Sequence, residues 1–144
     1  MVKIILRKAQ TEDINSIYRL VCKLEEEQLD KTTFKVIFNA NLARQDIHYI
    51  VAENNGKIVE FISLYIQKLL HHNGSVAEIQ ELFIEPTTRG KGLGTKLIQY
   101  VWKIANENNC RSFEVTCNLI RKETHKFYES KGLTNTHLKF TNKI

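Results

Sequence analysis

A chain of 144 residues has room for one compact core and not for two, so a single domain over 1–144 is expected. Its 42% apolar and 26% charged residues exclude a disordered or fibrous chain. The net charge of +5 comes from 21 basic residues scattered among 16 acidic ones. With no basic stripe, nucleic acid is not an expected partner, whereas a small polyanion is.

The run Val2-Lys3-Ile4-Ile5-Leu6 is too short for a signal-peptide core or a membrane span, and no later stretch approaches one. Cys22, Cys110 and Cys117 fall at no CxxC or zinc spacing. Unpaired thiols and no membrane segment fit a reducing, cytoplasmic setting.

Val2 to Lys8 reads as a short strand, and Thr11-Glu12-Asp13 supplies an N-cap and two acids for a helix. Ile14, Ile17, Leu20, Val21 and Leu24 follow at helical spacing and run into Glu25-Glu26-Glu27. Residues 32–43 form a second expected helix, with Phe34, Ile37, Phe38 and Leu42 on one side. His48 to Glu53 reads as a strand, Asn54-Asn55-Gly56-Lys57 as a tight turn, and Ile58 to Leu69 as the returning strand. Asn73-Gly74 marks another hairpin, leading to a strand from Val76 to Glu85. A Gly-rich turn follows Pro86, then a long helix carrying Leu93, Leu97, Ile98, Val101, Ile104 and Ala105. Arg111 to Cys117 reads as a strand, 122–131 as a helix stopping at Gly132, and Leu133 to Phe140 as a last strand. Hairpins in the middle and βα units at the end predict an α/β fold with a mixed sheet and helices on both faces.

The strongest motif is Arg89-Gly90-Lys91-Gly92-Leu93-Gly94, between a strand and a helix. Alternate glycines let backbone approach a ligand, and N–H groups at a helix start form a donor site for phosphate. The spacing is neither G-x-G-x-x-G nor the Walker pattern. A plain flexible connection is the competing reading, and the flanking basic residues and the periodic helix weigh against it.

This segment resembles the R/Q-x-x-G-x-G/A signature of the GCN5-related N-acetyltransferase (GNAT) superfamily. Glu81-Leu82-Phe83-Ile84-Glu85-Pro86 is similar to that family's fourth strand, and Phe127-Tyr128-Glu129-Ser130-Lys131-Gly132-Leu133 to its F-Y-x-x-x-G-F/L segment. Phe38-Asn39-Ala40-Asn41-Leu42, Leu70-His71-His72, Glu78-Ile79-Gln80-Glu81-Leu82 and His125-Lys126-Phe127-Tyr128 narrow the likeness to the aminoalkylphosphonate N-acetyltransferases, as does the tail around Phe140-Thr141. Two positions depart from the wider pattern: Arg121 stands where Asn is frequent, and Thr124 where Ala is frequent.

The resemblance implies transfer of an acetyl group from acetyl-CoA, a ligand with three phosphates, to a primary amine. It places the cofactor on Phe83, Ile84, Arg89, Gly90, Lys91, Gly92, Leu93, Gly94 and Thr95, with Asn118 as a substitute contact at the end of the fifth strand. It gives Tyr128 the role of general acid to the CoA sulfur, against a plain core aromatic beside Phe127.

Glu81 and Glu78 are the base candidates, directly or through a water. Three residues apart, they point to opposite faces of a regular strand unless a β-bulge intervenes. Solvated strand carboxylates are the competing reading, evenly weighed for Glu78. The phosphonate-type relatives depend on a divalent metal, for which Glu78 with His71 or His72 is the candidate set. The two histidines, expected to face opposite ways at a hairpin tip, are not a chelating pair, and no metal spacing supports the set. His137, Lys139, Arg44 and Lys68 are candidate phosphonate partners, each with ordinary surface charge as the plainer reading. The acidic run Glu25-Glu26-Glu27 keeps a polyamine open, alongside an amino sugar, amino acid or protein amine. A non-catalytic acyl-CoA-binding regulator is disfavoured by Tyr128 and Glu81. A small-molecule amine is the expected partner, with a homodimer left open.

Overall fold

The computed structural model describes residues 3–144, so the expected strand start at Val2 lies outside the described residues. In chain order the elements are β1 (Ile4–Lys8), α1 (Ile14–Glu25), α2 (Lys31–Leu42), β2 (Ile47–Asn54), β3 (Lys57–Leu69), β4 (Gly74–Ile84), α3 (Leu93–Glu107), β5 (Ser112–Val115) and α4 (Lys122–Ser130). One sheet holds the five strands in chain order. Neighbours are antiparallel from β1 to β4, and β5 is parallel to β4.

Each strand alternates between two cores. Val51, Phe61 and Phe83 face α1 and α2, packing on Ile17, Leu20 and Phe38. Ile50, Ile62, Leu64 and Ile79 face α3 and α4, packing on Leu97, Val101 and Tyr128. The expected mixed sheet with helices on both faces is thus observed. Ring contacts link Phe34 to Phe38, Phe38 to Tyr49, and Tyr49 to Phe61, with centroids 6.4, 5.5 and 5.4 Å apart, and so fix α2 to the sheet. Such pairs contribute about 0.5–1.5 kcal/mol each beyond the area they bury.

The start of α1 differs in detail from expectation. Thr11–Asp13 form a 3-10 turn, and the cap is made by Asp13, whose carboxylate accepts from the Gln10 N–H at 2.7 Å. The same carboxylate pairs with Arg7 at 2.7 Å, and Arg7 also holds Glu53. Arg7 keeps the Asp13 carboxyl below the usual carboxylate range.

Two departures concern longer stretches. Leu133–Phe140, expected as a strand, has no sheet partner among the described residues. Leu133 is tied to the end of α4 through its N–H on the Tyr128 carbonyl (3.2 Å). Beyond it, residues 134–144 are exposed, with Leu138 at 76% and Phe140 at 89%. Alternation is a local property, whereas a strand needs an edge to bond to, and within this chain the segment meets none. The second departure is Glu60. It lies in the row of β3 that faces α3, opposite Ala52 and Ile84, and is fully buried. Neither carboxylate oxygen has a hydrogen-bond partner among the described residues. Burial pushes its carboxyl up to about 7.

Candidate active site

The Gly-rich segment sits as expected between β4 and α3, but its glycines are glycines for two reasons. Gly90 and Gly92 have φ of +80° and +76°, and a Cβ on either would meet nothing within 4 Å. Their requirement is the left-handed backbone, which turns the chain into α3. Gly94 has an ordinary helical place. A Cβ there would lie 2.6 Å from Ile84 Cδ1 and 3.3 Å from the Phe127 ring. Besides the expected approach to a ligand, Gly94 therefore keeps room for β4 and α4 to close on the helix.

Of the other expected cofactor residues, Lys91 is exposed and Thr95 half-buried. Arg89 donates from Nε to the Ile84 carbonyl at 3.1 Å and stacks over Phe83, its guanidinium 5.9 Å from the ring centroid. Leu93 is buried in the core beneath the turn, so only its backbone is available. Asn118 is engaged within its own turn. Its side-chain oxygen accepts from the Ile120 N–H at 3.0 Å, and its carbonyl lies 2.7 Å from His125 Nε2.

The sheet opens beside this turn. Pairing of β4 with β5 runs from Val76 opposite Ser112 to Ile79 opposite Val115 and stops there. From Gln80 to Ile84 the β5-facing backbone of β4 is left free, over the stretch that holds Phe83 and Ile84.

A bulge lies at the point of opening. Ser63 stands opposite Glu81 and Leu64 opposite Ile79, so Gln80 is an extra residue on β4. Glu78, opposite Tyr65, and Glu81, opposite Ser63, consequently share the face covered by α1 and α2. Glu81 takes the Ser63 hydroxyl as a donor, and its own N–H donates to Ser63 Oγ at 3.0 Å. Burial raises the Glu81 carboxyl; the Ser63 hydrogen bond works against this, and the charge of Glu25 adds to it. Glu78 accepts from Thr116 Oγ1 at 3.4 Å, a long contact, and is more open.

Tyr128 is buried on α4, beside Cys117 and Arg121. Burial first, and then Cys117, push its phenol above the ordinary tyrosine range, while Arg121 pulls it down. The phenol is therefore protonated at neutral pH. Arg121 donates to the Leu24 carbonyl at 2.9 Å, tying the loop before α4 to the end of α1. Glu25 thus borders the same cleft as Glu81, while Arg121 and Thr124, the two departures, lie on the loop and first turn of α4.

The histidines do not behave as expected of strand neighbours. His71 and His72 lie in a 3-10 turn, Leu70–His72, with rings 4.5 Å apart, and His72 Nε2 faces Glu114 Oε2 at 3.6 Å. Glu78 does not join them. Among the described residues no group of three or more His, Cys, Asp or Glu side chains converges, so the residues present do not form the metal site raised from sequence. Arg44 is engaged with Asp46 at 2.7 Å, and Lys68 is exposed near the hairpin.

Sequence reasoning missed Ser63, Tyr65 and Asn41. Asn41 Nδ2 donates to the Tyr49 and Tyr65 hydroxyls at 2.8 and 3.1 Å, lining the wall beside Glu81 with polar groups. Their signal was present in Phe61-Ser63-Tyr65, a polar residue in a row of aromatic core positions.

A glycine turn on a helix start, a strand freed beside it, and a carboxylate and a phenol at the opening are the geometry of an acyl-CoA-using transferase. The sequence profile of the Acetyltransferase (GNAT) family matches residues 13–133, and the chain belongs to that family. It is an N-acetyltransferase with acetyl-CoA as donor. The aminoalkylphosphonate N-acetyltransferase of Salmonella typhimurium is 38% identical over 94% of this chain and 88% of its own length. The glucosamine 6-phosphate N-acetyltransferase of Candida albicans is 27% identical over 88% of this chain and 86% of its own. Among solved structures, the aminoglycoside N-acetyltransferase AAC(6')-Iy in complex with CoA superposes with a TM-score of 0.90, covering 100% of this chain and 96% of that one at 14% identity. That last likeness is one of fold. Among the described residues no helix is long and apolar enough to cross a membrane.

Proposed function

We propose that this N-acetyltransferase takes a small aminoalkylphosphonate as its acceptor. The observation that carries the reading is the 38% identity to the Salmonella phosphonate enzyme, which extends over 94% of the chain rather than over the cofactor segment alone.

In the chemistry proposed, the turn at Gly90 and Gly92 presents its N–H groups, with the start of α3, to the CoA pyrophosphate. The pantetheine arm lies along the freed edge of β4. Glu81 takes a proton from the acceptor ammonium, directly or through a water. Its raised pKa brings it nearer to neutral pH, where a general base works best. Glu78, on the same face, remains the second candidate for this step. The free amine then attacks the thioester carbonyl. Charge developing on that oxygen is met by backbone donors of β4 near Phe83 and Ile84. As the tetrahedral intermediate collapses, the C–S bond breaks and Tyr128 gives its proton to the sulfur, so that CoA leaves as a thiol. No step is assigned to a metal.

One observation favours a second reading. Glu25 borders the cleft beside Glu81, and clustered acids suit a cationic acceptor such as a polyamine. The test is kcat/KM for aminomethylphosphonate, glycine and spermidine, followed by thiol release. Preference for the phosphonate is expected. Clear preference for glycine or spermidine overturns the acceptor assignment, and absence of thiol release with every amine would point to a binding protein.

A further inference from the structure

The step given to Tyr128 is uphill as it stands. Burial holds its phenol above the ordinary tyrosine range, whereas an ordinary thiol titrates at about 8.5. When the C–S bond breaks, its electron pair goes to sulfur, and charge collects there before so weak an acid neutralises it. A cation at that end of the cleft offsets the deficit. We propose that Arg121 is this cation: it stabilises the departing CoA sulfur as a thiolate until Tyr128 delivers its proton.

Helix geometry brings the two side chains together. Arg121 is the N-cap of α4, and its carbonyl accepts from the His125 N–H at 3.1 Å, so it belongs to the first turn. Tyr128 follows seven residues later, a spacing that returns to the same side of a helix after two turns, about 10 Å along the axis. Helical side chains lean towards the N-terminus, so the phenol leans back towards Arg121. The guanidinium is anchored from the opposite wall, where Nη2 donates to the Leu24 carbonyl at 2.9 Å. Leu24 lies in the last turn of α1, whose carbonyls lack partners within the helix and whose dipole is negative. This anchor turns the side chain across the cleft.

The charge is also available. A guanidinium carries five donors; the Leu24 carbonyl takes one, and among the described residues no carboxylate pairs with Arg121. The groups acting electrostatically on the phenol are Cys117, just beyond β5, and Arg121. The other buried members of its core cluster are aliphatic. Arg121 favours the ionised form of the phenol and of the Cys117 thiol alike, against burial in both cases. Cys117 thus shows how a second thiol entering the same place would respond. Arg121 is exposed in the free protein. CoA, on arriving, excludes the water that screens its charge, and the attraction to sulfur strengthens. Asn, frequent at this position in the wider pattern, would offer a hydrogen bond without the charge.

The role rests on the CoA sulfur lying beside Tyr128, as in the proposed chemistry, and is independent of the acceptor. Binding reads it without turnover, by comparing CoA with desulfo-CoA, which lacks the sulfur. In calorimetry from pH 6.5 to 9.5, wild type should come to favour CoA over desulfo-CoA by a ratio that grows up to about tenfold, since a neighbouring cation lowers a thiol's titration by about one unit or more. In Arg121→Gln, which can still donate to the Leu24 carbonyl, the ratio should stay flat while desulfo-CoA binds as in wild type. Arg121→Lys should keep most of the rise. Turnover should follow, with kcat at least about tenfold lower in Arg121→Gln and largely recovered in Arg121→Lys. A ratio flat with pH in wild type, or one rising equally in Arg121→Gln, overturns the proposal. So does an equal loss of affinity for both ligands at every pH, which would make Arg121 only a strut between α1 and α4. If Tyr128→Phe turns over like wild type, the acid assignment fails, while the CoA to desulfo-CoA ratio still decides Arg121.

Discussion

Replacing Glu60 by Gln should remove a pH-dependent weakness from the fold. Its carboxyl stands at about 7 in the folded protein against 4.5 for an ordinary glutamate, because burial alone disfavours the charge. The folded state therefore binds this proton more tightly than the unfolded one. The stability it contributes is fully present below pH 4.5 and is lost as the pH rises through 7. A difference of 2.5 pH units (7 minus 4.5) corresponds to about 3 kcal/mol. That is a large share of the 5–15 kcal/mol typical of a domain, and equals a shift in Tm of roughly 10 °C at this size. Urea unfolding at pH 4.5, 5.5, 6.5 and 8 should show wild type losing about 3 kcal/mol relative to Glu60→Gln across the series. Gln leaves its own buried amide unpartnered, but that penalty is constant with pH and cancels from the slope. Parallel curves for the two proteins would refute the reasoning and mean that Glu60 is hydrogen-bonded or hydrated in solution.

Tyr128→Phe should keep acetyl-CoA binding, measured by calorimetry, and lose turnover by up to about 10²–10⁴-fold; wild-type kcat would remove it from the chemistry. Glu81→Gln should lose most at low pH, where the acceptor is an ammonium, and the deficit should narrow as the pH approaches the amine's own pKa; a deficit independent of pH would argue for a positioning role. Gly92→Ala should weaken acetyl-CoA binding, at a folding penalty of about 1–2 kcal/mol from its left-handed backbone. Gly94→Ala should instead cost about 1–3 kcal/mol of stability through overpacking, read as a lower Tm, and be relieved by adding Ile84→Val, which removes the clashing Cδ1. Equal behaviour of the two glycine variants would contradict their separate causes.

The Gly-rich turn into α3 was legible because its signals are local. Left-handed backbone favours glycine, as at Gly90 and Gly92, and α3 announces itself by its apolar period. The reason for Gly94 was not legible, since it depends on Ile84 and Phe127 arriving from other elements. The bulge at Gln80 was open for the same reason: an extra residue exists only relative to the strand opposite. Glu60 was invisible because Val-Glu-Phe-Ile reads as ordinary strand, and the sequence does not say that both faces of β3 are covered. The tail shows the converse failure. Its alternation is real, but among the described residues the segment pairs with no strand.

The extra residue at Gln80 puts a kink in β4 beside the site without changing which face the carboxylates share. Gln80 is exposed, and its side chain contributes nothing to the shared face of Glu78 and Glu81. Exchanging it for another residue should be silent. Deleting it would restore a regular pleat in which Glu78 and Glu81 stand two apart and still share one face, and only the kink at the end of the β4–β5 pairing would be lost. A substitution scan of β4 would therefore score this position as tolerant, and only the deletion separates what the kink does from what the two carboxylates do.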